Sequence, residues 1–447
     1  MRHQSLSISI SFFLLFFPAT DSGTSTDRLD HGPMISAISL SKHAYALLHR
    51  KYKSSAFKPQ LLTILRTLRV PLWQGSELTP DLIKISKVSG SLTNAVFFVS
   101  CPSEPLIPTL LLRIYGPSSG ALISRPRELH TLHILSSQYR IGPRVYGTFG
   151  NGRVEEYFES VTLTASDLRD ENVSRWIGAR MAELHCVDIE AIEETSPVTR
   201  GEGKGWEIGA KKNVKAWLAP AREVLALPAV TEASRRDLDL DVFMKRWEKY
   251  MRWLKEFEKT EGASRRVFAH NDAQYGNLLK LARIKEGLPE HHQVCKTGIF
   301  MNSIFPNFAP KVIVVDFEYA SPNPAAFDIA NHFHEWTANY HSSTPHMLDP
   351  SRYPTAKERR NFYLAYMTQS VVSSSVPPET IDEAILEKMD RQVKAWSPAS
   401  QAMWAVWGIV QAKEDLEGKE GELEFDYIEY ARCRMEGFRR ETKALGL

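Results

Sequence analysis

Two short stretches of this chain carry side chains suited to moving a phosphoryl group. In VFAHNDAQYGNLL, residues 267–279, Asp272 and Asn277 stand five positions apart. A carboxylate at the first position can lie beside a hydroxyl, orient it and accept its proton. An amide oxygen at the second can reach a Mg2+ ion held on phosphates. In VIVVDFEYA, residues 312–320, a β-branched run delivers Asp316 to a strand end, where a second metal-binding carboxylate belongs. Alone, HND reads as a capped turn, and an Asp after an apolar strand reads as a turn residue. The ordered pair is the specific signal, and the residues between the two stretches allow them to form neighbouring strands.

Protein kinases use the same Asp-to-Asn spacing in H-R-D-x-x-x-x-N, and a later D-F-G for the metal. Here the third residue of the later motif is Glu318 rather than Gly. Upstream, Gly90-Ser91-Leu92-Thr93-Asn94 lies between two strand runs, where small residues let backbone N–H groups approach phosphate oxygens. It is not a P-loop. Arg113 sits on the strand run Leu110 to Tyr115. A cation on a buried strand needs an anion, either phosphate or Glu128 on the following helix. This is the kinase strand-lysine and helix-glutamate arrangement with Arg in place of Lys.

The elements that must position these groups can be read coarsely. Apolar residues at helical spacing run through 36–68, and 82–99 reads as strand, turn, strand. Residues 127–139 read as a helix, and 145–149 with 154–158 as a hairpin turning at Asn151-Gly152. Thereafter helical patterns dominate: 174–187, 240–261, 357–370, 379–395, 399–416 and 424–442. Residues 1–35 read as a leader and linker, 36–160 as a β-rich lobe with preceding helices, and 161–447 as a helical lobe. The stretch 283–311 reads as a long surface insert.

Composition narrows the class. The 447 residues are 43% apolar and 24% charged, ordinary for a globular protein. A net charge of +2 gives no long-range attraction to nucleic acid or to an anionic membrane. The four cysteines, Cys101, Cys186, Cys295 and Cys433, form no CxxC pair, which argues against zinc and for free thiols in a reducing compartment. An apolar run over 8–18 resembles a short signal-peptide core, too short to span a bilayer. The thiols and the nucleotide chemistry point instead to the cytoplasm, with no stable membrane insertion and no nucleic-acid partner.

With VSGSLTNAVFFV (88–99), LLLRIYG (110–116), IGPRVYGTFGNGRVEEYFES (141–160), VIVVDFEYASPNPAAFDIANHFHEW (312–336) and MWAVWGIVQAK (403–413) added to the HND stretch, the sequence resembles the choline/ethanolamine kinase family, its fungal members most of all. The resemblance implies an α+β, two-lobe, protein-kinase-like fold. It implies ATP-dependent phosphorylation of choline to phosphocholine, the first step of the CDP-choline route to phosphatidylcholine. Ethanolamine, or both amines, is the alternative acceptor. Carried over by position, Asp272 is the catalytic base and Gln274 lies beside the acceptor. Asn277 and Asp316 hold Mg2+. Ser89, Gly90, Ser91, Asn94 and Arg113 hold the ATP phosphates. Glu156, where some members carry Gln, and Tyr157 lie at the adenine-binding hinge. Dimers are common in the family, so a homodimer is compatible.

Choline's quaternary ammonium donates no hydrogen bond, so its recognition calls for aromatic faces and a nearby carboxylate. Trp404 and Trp407 share a helix face, and Phe425, Tyr427 and Tyr430 follow, with Glu335 and Tyr340 after the DFE strand. By resemblance these positions match the family's choline pocket; by spacing alone a Trp pair reads as core packing rather than a cage. His270 reads as structural. His332 and His334, two apart, do not share a helix face and so make a poor metal pair. Asp328 could ligate metal by residue type; the resemblance implies instead that it hydrogen-bonds backbone in the catalytic loop region.

Overall fold

The structure, a computed structural model, describes residues 52–90, 94–115, 125–193, 206–281, 312–373, 381–418 and 425–447. The expected leader, Ser91, Cys295 and the 283–311 insert lie outside these residues. The chain divides into two compact units. One comprises residues up to Ser137 and Pro143–Glu159; the other comprises Gln138–Gly142 and Ser160–Leu447.

The smaller unit is a five-stranded antiparallel sheet in the order β1-β2-β3-β5-β4: β1 Lys84–Gly90, β2 Asn94–Ser100, β3 Leu110–Tyr115, β4 Val145–Phe149 and β5 Gly152–Glu156. Alternation on β3 is strict. Leu110, Leu112 and Ile114 are buried, while Leu111, Arg113 and Tyr115 face the other way. The buried face packs with Phe97 and Val154 against Phe57, Leu61 and Leu65 of α1 (Phe57–Thr67). Helix α2 spans Arg125–Gln138. Strand β5 begins two residues earlier than the sequence predicts, with Gly152 already paired to Phe149, so the turn falls at Gly150-Asn151.

The larger unit is mostly helical: α3 Glu171–His185, α4 Ile189–Glu193, α5 Gly209–Leu225, α6 Glu232–Asp237, α7 Leu240–Glu261, α8 Ala325–Glu335, α9 Ala356–Ser373, α10 Glu383–Gln411, α11 Lys413–Leu416 and α12 Tyr427–Ala444. Asp caps fix several starts. Asp170 accepts from Asn172 and Val173 N–H, Asp239 from Asp241 and Val242, Asp426 from Glu429. Helix α7 buries Leu240, Phe243, Trp247, Tyr250 and Leu254, a single amphipathic stripe, and ends at Gly262 with φ +85°.

Helix α10 corrects the sequence. Two helices separated near Pro398 are expected, because proline removes an N–H and crowds the preceding turn. The structure has one helix, with Pro398 inside it. Tertiary contacts stabilise the interrupted turn: the Tyr250 hydroxyl donates to the Ala395 carbonyl at 2.6 Å. The helix is buried almost continuously from Ala395 to Gln411 and packs against α5, α8 and α12. Among the described residues no helix is long and apolar enough to cross a membrane.

Two small sheets hold the loops that carry the acidic residues. Strand β6 (Ser160–Thr162) pairs with β8 (Leu278–Leu281), which pairs with β9 (Val312–Val314); β7 (Arg266–Ala269) pairs with β10 (Ser321–Pro324). The chain runs β7, loop 270–277, β8, and later β9, loop 315–320, β10. Because β8 pairs with β9 and β7 with β10, the two loops are tied together at both ends.

Candidate active site

Asn271 and Asp316 have left-handed backbones, with φ +65° and +68°. Non-glycine residues adopt this conformation only where their surroundings enforce it. For Asn271 the enforcement is visible. Its amide donates to Tyr319 O (2.8 Å) and Ser321 Oγ (2.8 Å), its Oδ1 accepts from Asn323 (2.7 Å), and its carbonyl accepts from Asn331 (2.9 Å). Asp328, fully buried on α8, accepts from the N–H groups of His270 (2.9 Å) and Asn271 (2.7 Å) and from His185 Nε2 (2.9 Å). Burial works to raise its carboxyl. The hydrogen bonds and charge interactions with His185 and His270 outweigh it and hold it below the usual range.

The loop presents Asp272, half-buried. Asn277 Nδ2 donates to its Oδ2 at 2.9 Å and to its carbonyl at 3.0 Å. Both of these bonds use the Asn277 nitrogen, and no described residue donates to its Oδ1. The Val315 N–H bonds the Asn277 carbonyl at 3.0 Å, which sets Asp316 immediately beyond. An amide oxygen and a carboxylate form an all-oxygen donor set suited to Mg2+, an ion that takes its remaining ligands from phosphate and water. Burial, then the charges of Glu335 and Asp316, push the Asp272 carboxyl well above its usual range. A carboxylate raised in this way is a stronger proton acceptor. Gln274 is turned onto its own loop, its Oε1 accepting from the Gly276 N–H at 2.7 Å. His270 is buried, with Nε2 on the Val315 carbonyl (3.1 Å) and Nδ1 accepting from the Asp272 N–H (3.2 Å), a structural role.

Beside these residues is a continuous aromatic wall. Trp404 and Trp407 meet edge to face at 5.1 Å, and Trp407 meets Tyr427 at 5.9 Å and Tyr430 at 6.0 Å. Phe425 lies 5.0 Å from Tyr427, 5.5 Å from Tyr430 and 6.4 Å from Tyr340. Glu335 lies at 2% exposure, with its Oε2 accepting from the Tyr340 hydroxyl at 2.6 Å. The two tryptophans also do core work, since their indole N–H groups reach Asn331 (2.7 Å) and the Tyr319 hydroxyl (3.1 Å).

Gly408 sets how closely α10 and α12 approach at this wall. A Cβ there would lie 2.9 Å from Tyr430 Cδ1 and 3.2 Å from the Tyr427 carbonyl. Gly408→Ala is therefore expected to destabilise by about 1–3 kcal/mol through overpacking, read as a lowered melting temperature. Unaltered melting would mean the helices have room to spare.

The smaller unit gives one correction. Glu128 does not pair with Arg113. Arg153, directly opposite Arg113 across β3 and β5, donates to Glu128 at 2.5 Å, to the Tyr115 hydroxyl at 3.0 Å and to Glu155. Arg153 is the deeper of the two cations, and it takes the helix carboxylate. Arg113 is left with a buried Nε that has no partner among the described residues. Ser89 and Gly90 end β1, and Asn94 begins β2, with Gly90 paired to Ala95. Glu156 closes the β4–β5 hairpin through paired bonds with the Arg144 backbone, and Tyr157 packs edge-on to Phe98 at 4.8 Å.

Sequence reading assigns no role to three residues of the site, although Tyr319 and Asn331 lie within the 312–336 stretch. Tyr319 stacks edge-on against Trp404 at 5.4 Å. Asn331 ties Trp404 and Ser400 to the Asn271 carbonyl. Arg434, fully buried, donates to Glu335 Oε1 at 2.8 Å. The i, i+3 and i, i+4 pattern of α12 marks Arg434 as inward-facing, the one signal that could have found it.

Known proteins resemble this chain over most of its length. A family model described as choline/ethanolamine kinase matches residues 85–439. The choline kinase of Schizosaccharomyces pombe is 33% identical over 442 residues, covering 88% of this chain and 90% of that one. The choline kinase of Saccharomyces cerevisiae is 32% identical over 397 residues, covering 82% of this chain and 65% of that one. Among solved structures, the choline kinase from Cryptosporidium parvum matches with a TM-score of 0.61 at 23% identity, covering 86% of this chain and 95% of that one, a likeness of fold. The architecture, a β-sheet unit followed by a mostly helical one, is protein-kinase-like. On the family match and the one-third identity across most of its length, the chain belongs to the choline/ethanolamine kinase family.

Proposed function

We propose that this protein transfers the γ-phosphoryl group of ATP to the hydroxyl of choline, giving phosphocholine and ADP. The observation that carries the reading is the neighbourhood of Asp272. A proton-accepting carboxylate, anchored by Asn277, stands within electrostatic reach of a buried Glu335 and an aromatic wall suited to a cation without N–H groups. The relatives named choline kinase support the same acceptor.

In this mechanism Tyr340, Trp404, Trp407, Phe425, Tyr427 and Tyr430 enclose the trimethylammonium group, and Glu335 balances its charge. That fixes the far end of the acceptor and leaves its hydroxyl beside Asp272. Asp272 accepts the hydroxyl proton as the oxygen attacks phosphorus in line, and ADP departs. Gln274 braces the loop that carries Asp272. Arg113, whose buried Nε awaits an acceptor, would meet a phosphate oxygen, with the β1–β2 turn at Ser89, Gly90, Ser91 and Asn94 supplying further contacts. Glu156 and Tyr157 would meet the adenine. Asn277 Oδ1 and Asp316 would hold Mg2+, which supplies neutralisation of the phosphate charge. Most of the acceleration comes from positioning and charge compensation.

The test is product formation. Purified protein with MgATP and choline is expected to release ADP and phosphocholine in equal amounts, read by a coupled ADP assay and by phosphorus NMR. No phosphocholine under these conditions would end the reading.

A further inference from the structure

We propose that Arg434 and Tyr340 clamp Glu335 so that the site selects a quaternary ammonium over a primary one; the inference rests on the amino-alcohol kinase reading above. Each oxygen of Glu335 already accepts a short hydrogen bond, Oε1 from Arg434 Nη2 at 2.8 Å and Oε2 from the Tyr340 hydroxyl at 2.6 Å. Guanidinium and carboxylate form a buried ion pair. Arg434 is itself held from behind. Its Nε donates to the Tyr430 hydroxyl at 3.0 Å, and its Nη1 meets Gln401 Oε1 at 3.5 Å. Gln401 in turn donates to Glu441 at 3.0 Å. A guanidinium tied at three points cannot swing away to leave Oε1 open.

The consequence follows from how the two cations are recognised. A primary ammonium binds through discrete N–H···O bonds to open acceptors, strongest when the acceptor is a free carboxylate. A quaternary ammonium has no N–H and is bound by ring faces and diffuse negative charge. A buried carboxylate whose oxygens are both engaged offers little to the first, whereas the ring faces around it still serve the second. The Tyr340 hydroxyl adds to this bias. By donating to Glu335 it pushes electron density into its ring, which strengthens that ring's attraction for a methylated cation. Burial, then Glu335, raise the Tyr340 phenol well above its usual range, so it stays the donor.

The experiment is a methyl series. Rates with ethanolamine, N-methylethanolamine, N,N-dimethylethanolamine and choline are measured at fixed MgATP for the wild type, Tyr340→Phe and Arg434→Lys. In the wild type kcat/KM is expected to climb along the series. Tyr340→Phe keeps the ring and opens Oε2, so the choline-to-ethanolamine ratio of kcat/KM is expected to fall about tenfold, the worth of one charge-assisted hydrogen bond. Arg434→Lys, which cannot make the same fork of bonds, is expected to move the ratio in the same direction. A structural role alone would lower both amines in step, and an unchanged ratio in the variants would overturn the clamp. A wild type that prefers ethanolamine would overturn it with no variant needed. If the wild type phosphorylates none of the four amines, the failure belongs to the proposed function instead.

Discussion

Asp272→Asn is expected to lower kcat roughly 10²- to 10⁴-fold, the range for loss of a general base, and at the same time to raise the melting temperature. The first effect follows because an amide cannot accept the hydroxyl proton. The second follows from the neighbourhood. The Asp272 carboxyl is pushed well above its usual range by burial and by the charges of Glu335 and Asp316, so at neutral pH its ionised form is a net cost to the fold. A neutral amide of the same shape removes that cost, and its oxygen can still accept from Asn277 Nδ2, which holds the loop at 2.9 Å in the wild type. The site trades stability for reactivity, as active sites commonly do. Rates from ADP release and melting of the ligand-free protein at pH 7.5 check both halves. Wild-type turnover would remove Asp272 from the chemistry. A lower melting temperature would mean that the carboxylate is a structural anchor.

How far the sequence reveals this site depends on how local each signal is. The Asp272-to-Asn277 spacing is legible because one loop closes both partners, and the bounds of α7 are legible because its apolar stripe and its Asp239 cap are local. The β3 strand is legible because alternation needs only six residues. Signals that depend on packing are not. Pro398 reads as a helix break, and the turn around it is held by distant residues, Tyr250 145 positions away on Ala395 and Glu441 on Ser397. Glu128 reads as one of two anions open to Arg113, and the pairing of β3 with β5 sets Arg153 beside it instead. Arg434 lies 99 positions from Glu335, so nothing in either neighbourhood announces the pair. The acidic residues that define the reaction class are thus written locally, whereas the groups that tune the acceptor site are assembled by the fold.

Stability is expected to fall steeply as pH drops below about 6.5, because four buried histidines are held neutral. For three the geometry bars the second proton. His270 Nδ1 faces the Asp272 N–H, His332 Nε2 faces the Trp336 indole N–H, and His334 Nδ1 faces the Gln401 amide nitrogen. Their other nitrogens donate to the Val315 carbonyl, the Ala273 carbonyl and Ser397. The fourth, His185, donates to Asp328 while its Nδ1 takes the Tyr366 hydroxyl. Burial is the largest influence on all four, and each is lowered from its ordinary value. Below the unfolded value near 6.5 the unfolded chain binds these protons and the native protein does not, so unfolding gains with every proton added. Each histidine contributes a slope of up to about 1.4 kcal/mol per pH unit, and four together about 5.5. That compares with a total stability of roughly 5–15 kcal/mol for a typical domain. The raised Asp272 and Glu183 carboxyls work in the opposite direction, two groups against four. Melting at pH 7.5, 6.5 and 5.5 at constant ionic strength is expected to show little change over the first step and a large drop over the second. His334→Gln should lessen that drop by about a quarter if the four act alike. A melting temperature flat to pH 5.5 would mean that the native protein can protonate these rings, which N–H neighbours oppose at His270, His332 and His334.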